Sequence, residues 1–461
     1  MASDPLKALL VTSPYSQDVV AEVPWDTPAA VSKKLDLARE AQLRWRAIPL
    51  EKRIAEVTGA LAHFRTGSEK IARDVSLQMG KPIVQARKEV DTMLSRAEHL
   101  TVMAKYALAA EDLPAATGMK LRIEHHPLGV VLDIASWNYP LLVPVNVVVP
   151  ALLSGNAVLL KHSPLTPLCG QHFERAFASL SVRNLVQNVV IENERAEGLI
   201  EDPRVDHVVF TGSVATGMKV LAAAARRGIG AGLEMGGKDP AYVAEDADIA
   251  FAAENVVDGA CYNAGQSCCA VERVYVHENV YEMFLERARA ALKQYRMGDP
   301  LDVRTTLGPL ARREGLETVA AHVEDAVMRG AKVLVGGRKG TGKGSFFEPT
   351  LIAGVPQDAL VMREETFGPV LPVASVASCD EAIARMNDSR YGLTASVWTR
   401  SGERAEWFAR VIEAGTVYQN RCDVLDPSLP WTGWKESGLG STLSRYGFIG
   451  LTKRKSIHFR V

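Results

Sequence analysis

From 27 to about 110 the apolar residues recur every three or four positions, as at Leu35, Ala38, Ala41 and Trp45, with Lys, Arg and Glu between them. That period lines one face of a helix, so the stretch reads as a series of amphipathic helices. The cluster Gly80-Lys81-Pro82 divides two of them, and Pro82 is expected in a first helical turn, where its missing N–H costs nothing. Between 120 and 135 the pattern first alternates and then turns continuously apolar, as a half-exposed strand leading into a buried one does. From 156 to 237 short β-branched runs alternate with longer helical ones, with strands expected at 157–161, 186–191, 205–210 and near Leu233. Alternation of this kind builds a parallel sheet covered by helices, with its ligand crevice beyond the carboxyl ends of the strands. A second αβ-alternating region runs from 248 to about 418, with loops at 336–345 and 423–440. The longest apolar stretch, 139–153, is interrupted by Pro140, Pro144, Asn146 and Pro150 and is shorter than the about 20 residues of a membrane span. It reads as a buried segment beside a ligand site.

The chain has 461 residues, 47% of them hydrophobic, too many for one core, so two or three domains are expected. With 53 basic and 54 acidic residues the net charge is -1, and no global field gathers nucleic acid or an anionic membrane. Small molecules and further copies of the chain are the expected partners. Cys169, Cys261, Cys268, Cys269, Cys379 and Cys422 lack both the density of a disulfide scaffold and the spacing of a zinc site. A reducing, cytoplasmic location is expected, and the short apolar stretch at 8–11 does not make a signal-peptide core. The ten histidines, His125-His126 included, show no metal-ligand spacing, so no metal is expected.

Two segments carry candidate chemistry. Gly265-Gln266-Ser267-Cys268 is a glycine-led turn delivering a cysteine, and Glu234 lies upstream in Leu233-Glu234-Met235-Gly236-Gly237-Lys238. A thiolate attacks a carbonyl carbon and holds the product as a thioester, and a desolvated carboxylate then activates water to release it. Judged singly, Cys268 is equally a buried core residue and Glu234 a salt-bridged one. Cys269 is the neighbour most easily confused with the nucleophile, whereas Cys261 and Cys422 read as packing or wall residues. Asn138, in Ser136-Trp137-Asn138-Tyr139-Pro140, offers a side-chain N–H to an oxyanion beside the backbone N–H of Cys268, or is simply a turn residue. Phe210-Thr211-Gly212-Ser213 follows a strand and opens a helix, where N–H groups meet a pyrophosphate, without being a G-x-G-x-x-G fingerprint. Lys161 ends a strand where a cofactor ribose would meet the sheet, and its plainer reading is an exposed lysine. Gly337-Arg338-Lys339-Gly340-Thr341-Gly342-Lys343 nearly spells a P-loop, but Gly344 stands where Ser or Thr must be, and a hairpin-type loop is expected.

Taken together, these residues resemble the aldehyde dehydrogenase superfamily over essentially the whole chain. The segments that carry the likeness are Gly80-Lys81-Pro82, Trp137-Asn138-Tyr139-Pro140, Gly155-Asn156 before Lys161, Phe210-Thr211-Gly212-Ser213 and Leu233-Glu234-Met235-Gly236-Gly237-Lys238. They continue with Gly265-Gln266-Ser267-Cys268, Glu365-Thr366-Phe367-Gly368-Pro369 and Pro430-Trp431-Thr432-Gly433-Trp434-Lys435-Glu436-Ser437-Gly438. The resemblance implies an NAD(P)-dependent, hydrolytic enzyme with Cys268 as nucleophile, Glu234 as general base and Asn138 as oxyanion donor. It places Trp137, Lys161, Ser163, Gly212, Ser213, Glu365 and Phe367 around the coenzyme. The implied fold is α/β: a Rossmann-like cofactor domain (1–107 and 129–236), an α/β catalytic domain (237–440) and a small β oligomerisation arm (108–128 and 441–461) joining a homodimer or homotetramer.

Three departures shape what is carried over. After Lys161 the chain reads His162-Ser163-Pro164, and Pro164 neither accepts from a ribose 2′-hydroxyl nor repels a 2′-phosphate, which leaves NAD and NADP both open. Val147 and Thr442 occupy places where some members carry a lysine and an acid that relay the base's proton, so Glu234 is expected to exchange protons through water or backbone carbonyls. The family's Pro-Phe-Gly-Gly appears as Pro430-Trp431-Thr432-Gly433. The implied substrate passage, Tyr139, Val143, Tyr262, Ser267, Cys269, Leu425 and Trp431, is largely aromatic and neutral and favours an apolar or aromatic aldehyde. Arg421 supports the alternative, a succinic-semialdehyde-type substrate held by its carboxylate, with Asp423 as a competing local partner. A CoA-acylating relative generally lacks the residue found here as Glu234, and a cysteine hydrolase needs a histidine at Cys268 and ignores NAD(P).

Overall fold

The computed structural model describes residues 8–461; residues 1–7, which bear on the leader argument, lie outside the described residues. The alternating segments form two main sheets. The first has six strands in the order Gly438–Leu439, Gly230–Glu234, His207–Thr211, Val130–Ile134, Ala157–Lys161, Val186–Asn188. Its neighbours are parallel except for the short edge strand Gly438–Leu439, which runs antiparallel to the strand carrying Glu234. Val130–Ile134 is buried throughout, as its apolar run requires. The side chain of Asp133 in it has no hydrogen-bond partner among the described residues, and burial pushes its carboxyl well above the ordinary range.

The second sheet has seven strands in the order Lys332–Val335, Thr350–Ala353, Val370–Val376, Val271–His277, Asp239–Val243, Thr394–Trp398, Thr416–Gln419. It is parallel apart from its first pair. Each main sheet has its own buried cluster, one around Leu132, Leu159 and Phe173, the other around Tyr242, Val274 and Trp398. A third, antiparallel sheet joins Glu111–Leu113, Met119–Pro127 and Thr452–Arg460.

Several boundaries differ from the sequence reading for local reasons. The strand expected at 186–191 ends at Asn188, because the Val190 N–H is taken by the Asp26 carboxylate (2.9 Å). The strand expected at 205–210 starts at His207, since Val205 closes a turn onto the carbonyl of Asp202. Pro82 sits just before helix Ile83–Ala107 rather than within its first turn, its ψ of 135° being extended. The P-loop-like segment forms an antiparallel bridge between Lys339 and Phe347, as a hairpin does. No helix among the described residues is long and apolar enough to cross a membrane.

Candidate active site

A cavity of about 700 Å³, lined by the carboxyl ends of first-sheet strands at Thr211 and Glu234 and by helices and loops around the second sheet, holds Cys268, Glu234 and Asn138 together. The turn that delivers Cys268 is conformationally costly. Asn263, Ala264 and Gly265 have φ of 53°, 56° and 72°, and two of these left-handed positions carry a side chain. Only glycine fits the third, where a Cβ would stand 2.2 Å from the carbonyl oxygen of Gly368. Hydrogen bonds hold the turn in place. Asn263 Nδ2 donates to the carbonyls of Asn138 (3.0 Å) and Gln266 (3.1 Å), and Gln266 Oε1 accepts from the Ala311 N–H (2.8 Å).

Asn138 is buried and donates Nδ2 to the carbonyl of Gln266 (3.2 Å), while its Oδ1 accepts from Ser136 Oγ (2.7 Å). One amide N–H is thereby fixed and the second is left for an oxyanion. The position of Asn138 is braced by an ion pair that the sequence did not disclose: Lys81 bonds to Glu89, both fully buried. Lys81 Nζ also donates to the Asn138 carbonyl (2.9 Å), and Glu89 accepts the N–H of Leu141 (2.9 Å).

Glu234 ends its strand and is buried, without the salt bridge of its plainer reading. Its Oε2 has no partner among the described residues, and burial pushes its carboxyl well above the ordinary range. Thr442 Oγ1 donates to Glu234 Oε1 (3.3 Å), a side-chain contact the sequence reading did not include. Val147 also lines the cavity and brings no proton-carrying group.

Of the coenzyme candidates, Trp137, Gly212, Ser213, Glu365 and Phe367 line this cavity; Lys161 and Ser163 do not. Ser213 caps helix Val214–Arg227, so the first N–H groups of a long helix open beside Gly212. Trp137 packs edge-on to Phe367, ring centres 5.6 Å apart. Glu365 accepts one hydrogen bond, from the Gly237 N–H (3.2 Å). Burial and then the nearby Glu272 charge raise its pKa to about 8, and its remaining lone pairs suit ribose hydroxyls. Lys161 is buried, against its plainer reading as an exposed lysine, and donates Nζ to Asn193 Oδ1 (2.6 Å); burial lowers it to about 8. Ser163 Oγ accepts the Leu165 N–H (3.2 Å). An acidic residue beyond the sequence reading supports the Glu365 loop: Glu272 accepts from Lys238 Nζ (2.5 Å) and from the N–H groups of Thr366 (2.8 Å) and Phe367 (2.9 Å).

Tyr139, Val143, Tyr262, Ser267, Cys269, Arg421, Leu425 and Trp431 all line the cavity. The passage is less neutral than expected. Asp423 lies in its wall, accepting from Ser267 Oγ (2.8 Å) and Cys269 Sγ (3.0 Å), and burial raises its carboxyl to about 7. Its partners are therefore these two side chains and not Arg421, which is exposed and forms no ion pair among the described residues. Arg96, absent from the sequence reading, and Asn146, which interrupts the apolar stretch expected beside a ligand site, add to the polar part of the wall.

One cavity thus brings together a thiol, a buried acid and an amide donor with the start of a long helix. The profile described as "Aldehyde dehydrogenase family" matches residues 1–457, and the chain belongs to that family. It is 36% identical over 435 residues to an aldehyde dehydrogenase of Paenarthrobacter nicotinovorans, covering 94% of this chain and 95% of that protein. It is 32% identical to the succinate semialdehyde dehydrogenase [NAD(P)+] Sad of Escherichia coli, covering 97% of each. The solved lactaldehyde dehydrogenase of Escherichia coli superposes with a TM-score of 0.95 at 31% identity, covering 100% of this chain and 97% of that one. The protein is an NAD(P)-dependent oxidoreductase with the fold of that family.

Proposed function

We propose that the protein oxidises an aldehyde to its carboxylic acid through a covalent intermediate on Cys268. The thiolate of Cys268 adds to the carbonyl carbon, and the free N–H of Asn138 and the backbone N–H of Cys268 hold the resulting oxyanion. Once the carbon is tetrahedral its hydrogen can leave with the electron pair, for which NAD or NADP, when bound, would be the acceptor. The product on Cys268 is a thioester. Glu234 takes a proton from water, the hydroxide equivalent adds to the thioester, and the acid departs as the thiol re-forms. The observation that carries this reading is the free Oε2 of Glu234, buried in the same cavity as Cys268.

Trp137, Gly212, Ser213, Glu365 and Phe367 would hold the nicotinamide half and the phosphates, and Lys161 and Ser163 would serve the adenosine ribose. The aromatic passage takes the apolar body of the aldehyde. Hydrolysis, rather than transfer to CoA, follows from the presence of Glu234. The six cysteines are unpaired, which supports a reducing, cytoplasmic setting, and the three-stranded sheet joins copies of the chain.

Stopped-flow absorbance at the reduced-nicotinamide band, with NAD and NADP in parallel, tests the sequence of steps. Glu234→Gln is expected to keep a burst of reduced coenzyme and lose steady turnover, because hydride transfer precedes the water step. Cys268→Ala is expected to lose both phases. A missing burst in the first variant would count against a role for Glu234 confined to deacylation, and an active second variant would redirect attention to Cys269.

A further inference from the structure

Arg96 lies on helix Ile83–Ala107 where that helix packs against Leu142–Leu153, and its side chain lines the cavity that holds Cys268. It is only 6% exposed. A guanidinium withdrawn from water this far is ordinarily paired with a carboxylate, because burial of a lone charge is costly. Arg96 has no such partner among the described residues. Its one hydrogen bond runs from Nη1 to Asn146 Oδ1 (3.2 Å), a neutral acceptor. The acid nearest in its field is Glu89, whose carboxylate is already engaged by Lys81 and by the N–H groups of Leu141 and Leu142. Burial lowers the guanidinium to about 10, so it stays charged at neutral pH.

The amide nitrogen of Asn146 makes no hydrogen bond among the described residues and belongs to the same wall. A fork of guanidinium N–H groups and an amide N–H therefore point chemistry of one kind at the cavity: donors for an anion. Arg421 is the weaker candidate for that task. It is exposed at the rim, where water screens its charge, and Asp426 lies in its field.

We infer that Arg96, with Asn146, is the seat for a carboxylate at the far end of the aldehyde, which makes the preferred substrate a semialdehyde whose apolar middle spans the aromatic passage. This rests on the aldehyde-oxidising reading above and names the substrate class of that site. It moves the recognition of the carboxylate from the rim, where the sequence suggested Arg421, to a desolvated position within Coulomb range of Cys269, the neighbour of the nucleophile.

The test compares kcat/KM for succinic semialdehyde and for butanal, a neutral aldehyde of the same chain length, in the full-length protein. The wild type is expected to favour the semialdehyde, and Arg96→Gln to reduce that preference about 30- to 100-fold, as loss of a buried charge partner does. Arg96→Lys should restore part of it. A second measurement needs no turnover: succinate, and not neutral succinamide, should slow alkylation of Cys268 by iodoacetamide in the wild type, and Arg96→Gln should lose that protection. Oxidation of butanal with no preference for the semialdehyde would overturn the assignment and leave the aldehyde-oxidising reading intact. Silence toward both aldehydes would count against that reading, and the alkylation experiment then decides the anion seat alone. Protection absent in the wild type, or retained in Arg96→Gln, overturns it.

Discussion

At the residue scale, the proposed chemistry asks that a single carboxyl be both basic and available. Glu234 is buried with one oxygen free, so desolvation raises its proton affinity while the Thr442 hydroxyl lowers it by bonding to the charged form. Thr442→Val removes only the second effect, so the pKa of Glu234 rises further. Deacylation requires the ionised acid, and the ascending limb of the steady-state pH–rate profile is therefore expected to move to higher pH. The burst should be unaffected. At neutral pH steady turnover is expected to fall, because less of the acid is ionised. A profile that keeps its position would show that the hydroxyl does not tune Glu234. Thr442 was visible in the sequence as a departure, but its effect on the acid was not. Positions 234 and 442 meet only because Gly438–Leu439 pairs with the strand of Glu234 and carries the following residues over it.

At the scale of elements, buried ion pairs fix the loops that sheets and helices leave free. Glu272, on strand Val271–His277, binds Lys238 and the backbone of Thr366 and Phe367, thereby tying the turn after Glu234 to the loop of Glu365. Phe367 has a φ of 54°, a conformation that persists only when its surroundings enforce it. Glu272→Gln removes the carboxylate bonded to the buried Lys238 ammonium, a change that costs about 3–5 kcal/mol where the charge is left uncompensated. The expected result is a lower urea midpoint together with a KM for NAD(P) raised more than the KM for the aldehyde. An equal rise in both would mean that the pair supports the fold without positioning the coenzyme loop. What the sequence made legible at this scale follows from periodicity: the strand of Val130–Ile134, the long helix after Gly80 and the turn before Cys268 all have local signatures. Lys81–Glu89 and Lys238–Glu272 have none, since a charged residue inside an amphipathic pattern looks the same whether it is solvated or buried. Arg96 escaped for that reason too, while the exposed Arg421 drew attention by sitting in a loop.

At the scale of the whole molecule, the cavity is lined by strand ends of the first sheet and by helices and loops, whereas the three-stranded sheet takes no part in lining it. Strand Thr452–Arg460 pairs along its full length with Met119–Pro127, and its other edge has no partner among the described residues. Phe459 is 55% exposed there, beside Lys453, Arg454 and Lys455, which are exposed as well. A free strand edge carrying an exposed aromatic side chain is a template for association, and a monomer would have reason to blunt it. Copies of the chain that share this edge or its face gain backbone hydrogen bonds and cover Phe459 at once. Size-exclusion chromatography with light scattering is expected to give a closed multiple of the monomer mass, and Phe459→Lys to shift the population toward smaller species. Because the cavity is lined within one chain, the dissociated variant should still show the burst of reduced coenzyme even where its thermal stability falls. A variant that keeps the wild-type mass would remove this strand from the interface, and a monomeric wild type would remove the sheet's proposed role altogether.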